Sequence, residues 1–315
     1  MSSISILGPD VVTLSPGETS VLELIALDAR GRQLDTALQA SWKVEIPARA
    51  SVQDGRIAAG EQLGHTWVFA AVADLQDSVA VWVQKPEHEP SAFRITLLWD
   101  EEVPAWWREA LTTAARRWEQ VIRDTLPSAD VATLTDYCEM YDAPTLGHIV
   151  EGVEHGVRIH VTVSDAFPPA TYVEAVGGVC MHRGLPQPTT VLGKITLNRF
   201  WVDAGMRPHR LSHVAHHEMG HTLGLVGLVQ GHQPPWLQAD VGEYRGHLAL
   251  YGHLLDEGRT VRVLSYLDGM HWSLRELMGT TPSYRIGNVS VGSLMDFGYP
   301  AAWYGAGEVS TTPSP

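Results

Sequence analysis

Cysteine is scarce in this chain of 315 residues, which contains only Cys138 and Cys180. Two cysteines cannot build a framework of several disulfides, so the chain must fold around a hydrophobic core. They allow one bridge or two buried thiols, and the sequence leaves both that choice and the redox compartment open. Hydrophobic residues make up 44% of the chain, which is enough for a substantial core.

Long apolar runs and an excess of basic residues are also missing. No stretch approaches the roughly 20 apolar residues that cross a bilayer. The first ten residues lack a basic segment followed by a long apolar one, so no signal peptide is visible. The formal charge is −14, from 36 acidic and 22 basic residues. We therefore expect no transmembrane segment and no nucleic-acid partner.

Residues 1–86 carry a pattern that is typical of a small all-β sandwich. Short alternating runs occupy residues 20–27 and 66–72. Turn signals separate them at Ser15-Pro16-Gly17, Ala29-Arg30-Gly31 and Gln53-Asp54-Gly55. The order of features resembles a bacterial immunoglobulin-like module, from LSPGETSVLELIALDARGRQL through SWKVE to DSVAVWVQ. That resemblance implies a domain that could bind a surface or a partner.

A second domain is predicted over residues 93–306, after a proline-rich, charged linker at 87–92. The tail at 307–315 is expected to be disordered. Within the second domain the hydrophobic periodicity predicts three strands and two long helices. The strands are 93–99, 156–163 and 192–198, and the helices are 104–123 and 209–225. This pattern predicts an α+β fold with a mixed sheet and two long packing helices.

The residues His217-Glu218-Met219-Gly220-His221 form an H-E-x-x-H motif on the second predicted helix. Residues four apart share a helix face, so both imidazoles can bind one metal ion. Glu218 stands beside that ion, where it can act as general base on a water molecule. Two helical histidines can also pack or be solvated without a metal, but a glutamate between them on an apolar helix favours a metal site. Gly224 can end the helix, as the glycine of the H-E-x-x-H-x-x-G-x-x-H motif does in metzincins.

A third ligand is not fixed by this spacing, because the expected position is Gly227. The downstream candidates for it are His232, His247, His253 and His271. His213 and His216 lie upstream on the same helix, and we expect His213 to be packed or solvated.

The downstream sequence resembles the leishmanolysin family of metzincins, which has a long insertion before the last ligand. The resemblance covers roughly residues 93 to 304 and is carried by HEMGHTLG, by Met270-His271-Trp272 and by Glu276-Leu277-Met278-Gly279. It implies that His271 is the third zinc ligand and that Met278 is the methionine of the turn beneath the metal. The alternatives are His232 as ligand and Met295 as turn methionine. The same resemblance implies that the segment near residues 177–198 supplies the strand that binds substrate.

The function that this resemblance implies is a zinc-dependent endopeptidase acting on protein or peptide substrates, with Glu218 as the catalytic base. It also implies an extracellular or cell-surface location, while the lack of a visible signal peptide leaves a cytoplasmic one open. The alternative function is a non-catalytic binding or adhesion module that zinc stabilises. A third hypothesis from the same motif is a zinc hydrolase that acts on a non-peptide bond.

Overall fold

The computed structural model divides into two compact units, Met1–Glu89 and Pro90–Pro315. The boundary falls inside the predicted linker. The described part of the chain has a mixed α/β structure with several sheets and five α-helices. The residues that the structure describes are 2–7, 11–36, 38–84, 91–135, 138, 150, 152–167, 172–184, 188–225, 237–238, 243–257, 264–267, 271–272, 276–279, 283–303 and 306–308.

The first unit consists of strands that form three sheets, in the orders β1-β4-β5, β2-β10-β9-β6 and β3-β8-β7. All pairs are antiparallel except β2 with β10. The strands are β1 (Ser3–Leu7), β2 (Val11–Leu14), β3 (Thr19–Val21), β4 (Glu23–Leu27), β5 (Gln33–Leu34), β6 (Ser41–Val44), β7 (Ala50–Gln53), β8 (Arg56–Ala59), β9 (Gly64–Val72) and β10 (Leu75–Val83). The immunoglobulin-like assignment stays a prediction.

Strands of the second and third sheets bury their side chains in one apolar core, which includes Leu14, Ile57, Val68 and Val81. The predicted turns are confirmed, since Gly17, Gly31 and Gly55 all have a positive φ that favours glycine. The run 20–27 differs from expectation, because it is shared between β3 and β4, which lie in different sheets. The change falls at Leu22, whose N–H donates to Gly55 O at 2.8 Å, the next position of the β3–β8 register. The residues from Glu23 onward pair with β1 in another sheet.

The second unit alternates strands and helices before a set of short elements. Its larger elements are β11 (Ile95–Trp99), α1 (Ala105–Val121), β14 (Val157–Ser164), β15 (Ala175–His182), β16 (Thr190–Asn198), α2 (Arg199–Ala204), α3 (Pro208–Thr222), α4 (His247–Glu257) and α5 (Asn288–Asp296). The short strands are β12 (Ala129–Asp130), β13 (Val153–Glu154), β17 (Leu237–Gln238), β18 (Glu243–Tyr244), β19 (Leu264–Leu267), β20 (His271–Trp272), β21 (Arg285–Ile286) and β22 (Gly307–Glu308). A 3₁₀ turn covers Val131–Thr133.

The main sheet of this unit has the order β11-β14-β16-β15. Strands β11, β14 and β16 run parallel, and β15 is an antiparallel strand at the edge. Helix α1 packs on β11 and on α3, and α3 packs on β15 and β16, so both helices cover one face of the sheet. The periodicity of α1 explains this placement, since Trp107, Leu111 and Trp118 form a fully buried stripe.

Glycines allow α3 to lie very close to the edge of this sheet. A side chain at Gly177 of β15 would collide with the backbone oxygen of Glu218, and one at Gly193 of β16 would come within 2.8 Å of Thr222 Cβ. Helix α3 ends at Thr222, and Gly224 follows its C-cap residue with a φ of 92°. The N–H of Leu225 donates to Gly220 O at 3.1 Å and closes the helix end.

The remaining described elements include helices α4 and α5 and the short strands. Helices α4 and α5 cross closely, since a side chain at Gly252 or Gly292 would collide with the backbone of the other helix. Cys138 and Cys180 form a disulfide, which resolves the choice that the sequence left open. The predicted tail of 307–315 is wrong for its first two residues, because Gly307–Glu308 pair with Arg285–Ile286 through backbone bonds that need no side-chain pattern. Residues 309–315 lie outside the described residues. Among the described helices, none is both long and apolar enough to cross a membrane.

Candidate metal centre

Three histidine side chains of the second unit converge on one point. His217 and His221 lie one turn apart on α3, and His271 comes from the short strand β20. The Nε2 atoms of His217 and His271 are 3.1 Å apart, and those of His217 and His221 are also 3.1 Å apart. Among the described residues, they form the one group of three or more ligating side chains whose donor atoms all lie within 4.8 Å of one another.

The other ring nitrogens fix which atoms face inward. His217 Nδ1 donates to Leu277 O at 2.7 Å, and His221 Nδ1 donates to Leu225 O at 2.9 Å. A carbonyl oxygen can only accept, so the proton of each neutral ring lies on Nδ1 and the lone pair lies on Nε2. Burial, with the neighbouring His221 ring, holds the pKa of His217 well below its ordinary value. Facing lone pairs repel one another unless a cation binds between them.

A zinc-sized ion fits this arrangement. Two bonds of about 2.0–2.1 Å from zinc to nitrogen, at a tetrahedral angle, separate the nitrogens by about 3.3 Å. The two Nε2 separations of 3.1 Å are close to that value. Hydrogen bonds from the distal ring nitrogens to carbonyl oxygens are the usual means by which proteins orient histidine ligands. The three histidines can therefore hold a metal ion.

Glu218 lies between the two helical ligands in sequence and is almost fully buried, with 8% of its surface exposed. Its Oε2 accepts a hydrogen bond of 2.6 Å from the backbone N–H of Gly177 on the edge strand β15. Burial raises the pKa of the Glu218 carboxyl to about 8, and the Gly177 N–H opposes this shift. The edge strand thus fixes one carboxylate oxygen of the predicted base.

Met278 lies directly against α3, the helix that carries His217 and His221. A side chain at Gly220 of α3 would collide with Met278 Sδ, so the H-E-x-x-H glycine leaves room for this methionine. Met278 is fully buried, and the carbonyl of its neighbour Leu277 accepts from His217. The segment 276–279 therefore supports the part of α3 that carries the two histidines. Met295, the alternative, is a buried residue of α5.

Further side chains surround the first helical ligand. The ring of His213 stacks on His217 at 5.7 Å and meets Tyr284 edge-on at 5.5 Å. Its Nδ1 donates to Ser283 O at 3.1 Å. One turn earlier on α3, Arg210 forms a two-pronged pair with Glu174 at 2.8 and 3.0 Å. These contacts connect α3 to the start of β15 and to the chain before β21.

The other candidate histidines lie elsewhere or outside the described residues. His216 faces away from the centre, where its Nδ1 donates to Ser212 O at 2.7 Å and burial lowers its pKa to about 4. His253 is buried in α4, and His247 is the first residue of that helix. His232 lies outside the described residues. The group that the structure brings together is the set His217, His221 and His271.

Sequence reasoning missed the groups that orient the predicted residues. The Gly177 N–H and the carbonyls of Leu225 and Leu277 belong to the backbone, which no residue pattern identifies. The Arg210–Glu174 pair was also missed. Its members are 36 positions apart, and an isolated arginine or glutamate gives no signal in a sequence.

Comparisons with known proteins do not identify a family. No family model and no curated protein matches the chain. Domains 4–9 of the surface layer protein SbsC align at 14% identity and a TM-score of 0.23, over 33% of this chain and 18% of that one. A candidate alpha-galactosidase from Bacteroides fragilis aligns at 12% identity and a TM-score of 0.19, over 35% of this chain and 24% of that one. The chain spans a small part of each, and similarities this low carry no argument.

Proposed function

We propose that this chain is a zinc-dependent endopeptidase of the metzincin type, similar to the leishmanolysin family. The observation that carries the proposal is the convergence of His217, His221 and His271 at their Nε2 atoms. Two of these ligands flank Glu218, which is the acid–base residue that peptide hydrolysis at such a centre requires. Three protein ligands leave a coordination position for solvent or substrate, as in catalytic zinc sites.

The proposed chemistry divides between the ion and the chain. Zinc at the three imidazoles would supply Lewis acidity, which polarises a peptide carbonyl and makes water more acidic. Glu218 takes a proton from the attacking water and returns it to the leaving nitrogen. The Gly177 N–H holds one oxygen of that carboxylate at 2.6 Å, so the base is oriented before substrate arrives. The hydrogen bonds of His217 and His221 to backbone carbonyls keep both rings in the ligating tautomer.

The position of β15 supports a polypeptide substrate. This strand is at the edge of the main sheet among the described residues, and its Gly177 contacts Glu218. An edge strand can bind an extended peptide through main-chain hydrogen bonds. A peptide bound along β15 would pass the general base, which places a scissile bond within its reach. The disulfide supports an extracellular or cell-surface location, where the first unit would tether the enzyme to a surface or partner.

The substitution Glu218→Gln tests the proposal. It keeps the size of the side chain and removes the base, so zinc should stay bound while hydrolysis of denatured casein falls by about 10²–10⁴-fold. Wild type with a chelator should be equally inactive, and added zinc should restore it. Equal casein hydrolysis by wild type and variant would refute the role of Glu218. Zinc-loaded wild type that cleaves neither casein nor a peptide library would favour the non-catalytic binding module instead.

A further inference from the structure

The third ligand is held differently from the other two. His217 and His221 lie on α3, a helix of 15 residues, whereas β20 has two residues, His271 and Trp272. A ligand on so short a strand needs other contacts to keep its ring oriented, because ordering a loose segment costs free energy when the metal binds. Side chains alternate between the faces of a strand, so the ring of Trp272 points away from His271 and into the protein.

Trp272 provides the first of these contacts. Its side chain is 1% exposed, and its backbone N–H donates to Met278 O at 3.0 Å. That bond joins β20 to the segment that supports α3. The Trp272 ring meets the ring of Tyr244 edge-on, with centroids 5.2 Å apart and an interplanar angle of 87°. Edge-to-face packing of this kind fixes the orientation of both rings.

Tyr244 is in turn anchored to the carboxylate of Asp296. Its hydroxyl donates to Asp296 Oδ2 at 3.1 Å. The same carboxylate accepts the first free N–H groups of α4, from Leu248 at 3.1 Å and Ala249 at 3.0 Å. A side chain at Gly246 would collide with Asp296 Oδ2, so the turn between β18 and α4 folds tightly around this carboxylate. Asp296 thereby links α5, the start of α4 and the Tyr244 ring.

From this chain of contacts we infer that Asp296, Tyr244 and Trp272 form a positioning network for the metal ligand His271. The network runs from the C-terminal end of α5 through two packed aromatic rings to the ligand strand. This inference rests on the proposed metal centre. It adds three residues that influence metal affinity without contacting the metal. Removing groups that orient a ligand lowers metal affinity by about 10–100-fold in other metal sites.

The substitution Tyr244→Phe tests the network in the full-length protein. It keeps the ring against Trp272 and removes the hydroxyl that anchors it. We expect zinc affinity, measured by competition with a chelator, to fall by about 10-fold or more. Cobalt(II) loaded in place of zinc should show an altered visible absorption spectrum, since that spectrum depends on ligand geometry.

Tyr299→Phe is the matched control. Tyr299 is also a fully buried tyrosine, and its hydroxyl accepts from Thr190 N at 2.9 Å, in a contact that does not involve the metal ligands. This variant should lower thermal stability but keep the zinc affinity and the cobalt spectrum of wild type. It therefore separates a loss of ligand orientation from a general loss of stability.

A double-mutant cycle with His271→Ala completes the test. If Tyr244 acts through His271, Tyr244→Phe should change zinc affinity by less than about twofold once the imidazole is absent. Equal zinc affinity in wild type and Tyr244→Phe, or the same loss in both backgrounds, would overturn the inference. Zinc-binding wild type without peptidase activity would refute the proposed function and leave this result standing. A wild type that binds no zinc would overturn both.

Discussion

Gly177 illustrates how the absence of one side chain shapes the candidate metal centre. The glycine lets the edge strand approach α3 so closely that its N–H reaches the Glu218 carboxylate at 2.6 Å. A side chain at this position would collide with the Glu218 backbone, whereas one at the adjacent Gly178 would meet nothing within 4 Å. The two neighbouring glycines therefore form a natural test pair.

We predict that Gly177→Ala impairs catalysis while Gly178→Ala does not. The added methyl group must push β15 away from α3, which breaks the hydrogen bond to Glu218 and moves the base. A displacement of about 1 Å at a reacting group can cost about 10²-fold in rate, so kcat/KM on a peptide should fall by that order in Gly177→Ala. Zinc content should stay at the wild-type level in both. The same kcat/KM for the two variants would contradict the proposed role of this strand contact.

Among the elements, the two long helices could be predicted from the sequence, whereas the segments that contact α3 could not. Helices α1 and α3 were predictable because their apolar periodicity and the H-E-x-x-H motif are local. The third ligand was not, since spacing alone left several histidines open and the choice of His271 came from a resemblance. The contact of Met278 with Gly220 joins residues 58 positions apart (278 − 220), and no local pattern indicates such a contact.

The two candidate turn methionines can be separated by truncation. Met278→Ala and Met295→Ala both remove a buried side chain, with 0% and 3% exposed surface, so each should lower the free energy of unfolding by about 2–5 kcal/mol. Met278 lies against α3 at Gly220, so its truncation should weaken zinc binding by about 10-fold, more than the truncation of Met295 does. Urea unfolding and chelator competition measure the two effects. A larger loss of zinc affinity in Met295→Ala would reverse the assignment.

At the scale of the whole molecule, buried carboxyl groups should make stability depend on pH. Glu276 accepts hydrogen bonds from Gly287 N at 3.1 Å and from Ser290 Oγ. Burial raises its pKa from 4.5 to about 7. The folded protein holds this proton more tightly than the unfolded chain does. Its contribution to stability is therefore complete below pH 4.5 and is lost as the pH rises through about 7.

We predict a flatter pH profile for Glu276→Gln, which has a similar shape but does not titrate. The free energy of unfolding in urea, measured on metal-free protein from pH 4.5 to above 7, should fall less steeply with pH in the variant than in wild type. Metal-free protein is used because proton release from zinc-binding histidines would add its own slope. Parallel profiles for the two proteins would show that Glu276 does not hold its proton more tightly in the fold.

The two-unit organisation of the chain was readable from composition and pattern, because the linker prolines and the change from alternating to helical periodicity are local signals. The disulfide was not, since its cysteines are 42 residues apart and two thiols can equally stay free. The convergence of the three histidines depends on how β20 packs against α3, which is a property of the whole fold.

The proposed function requires that three imidazoles bind one zinc ion and leave a coordination position open. This can be measured by X-ray absorption at the zinc edge, on full-length protein loaded with one equivalent of zinc. We expect one tightly bound ion per chain with three imidazole nitrogens and at least one oxygen from solvent, and two imidazoles in His271→Ala. Four protein ligands on the ion, or an unchanged spectrum in His271→Ala, would contradict it.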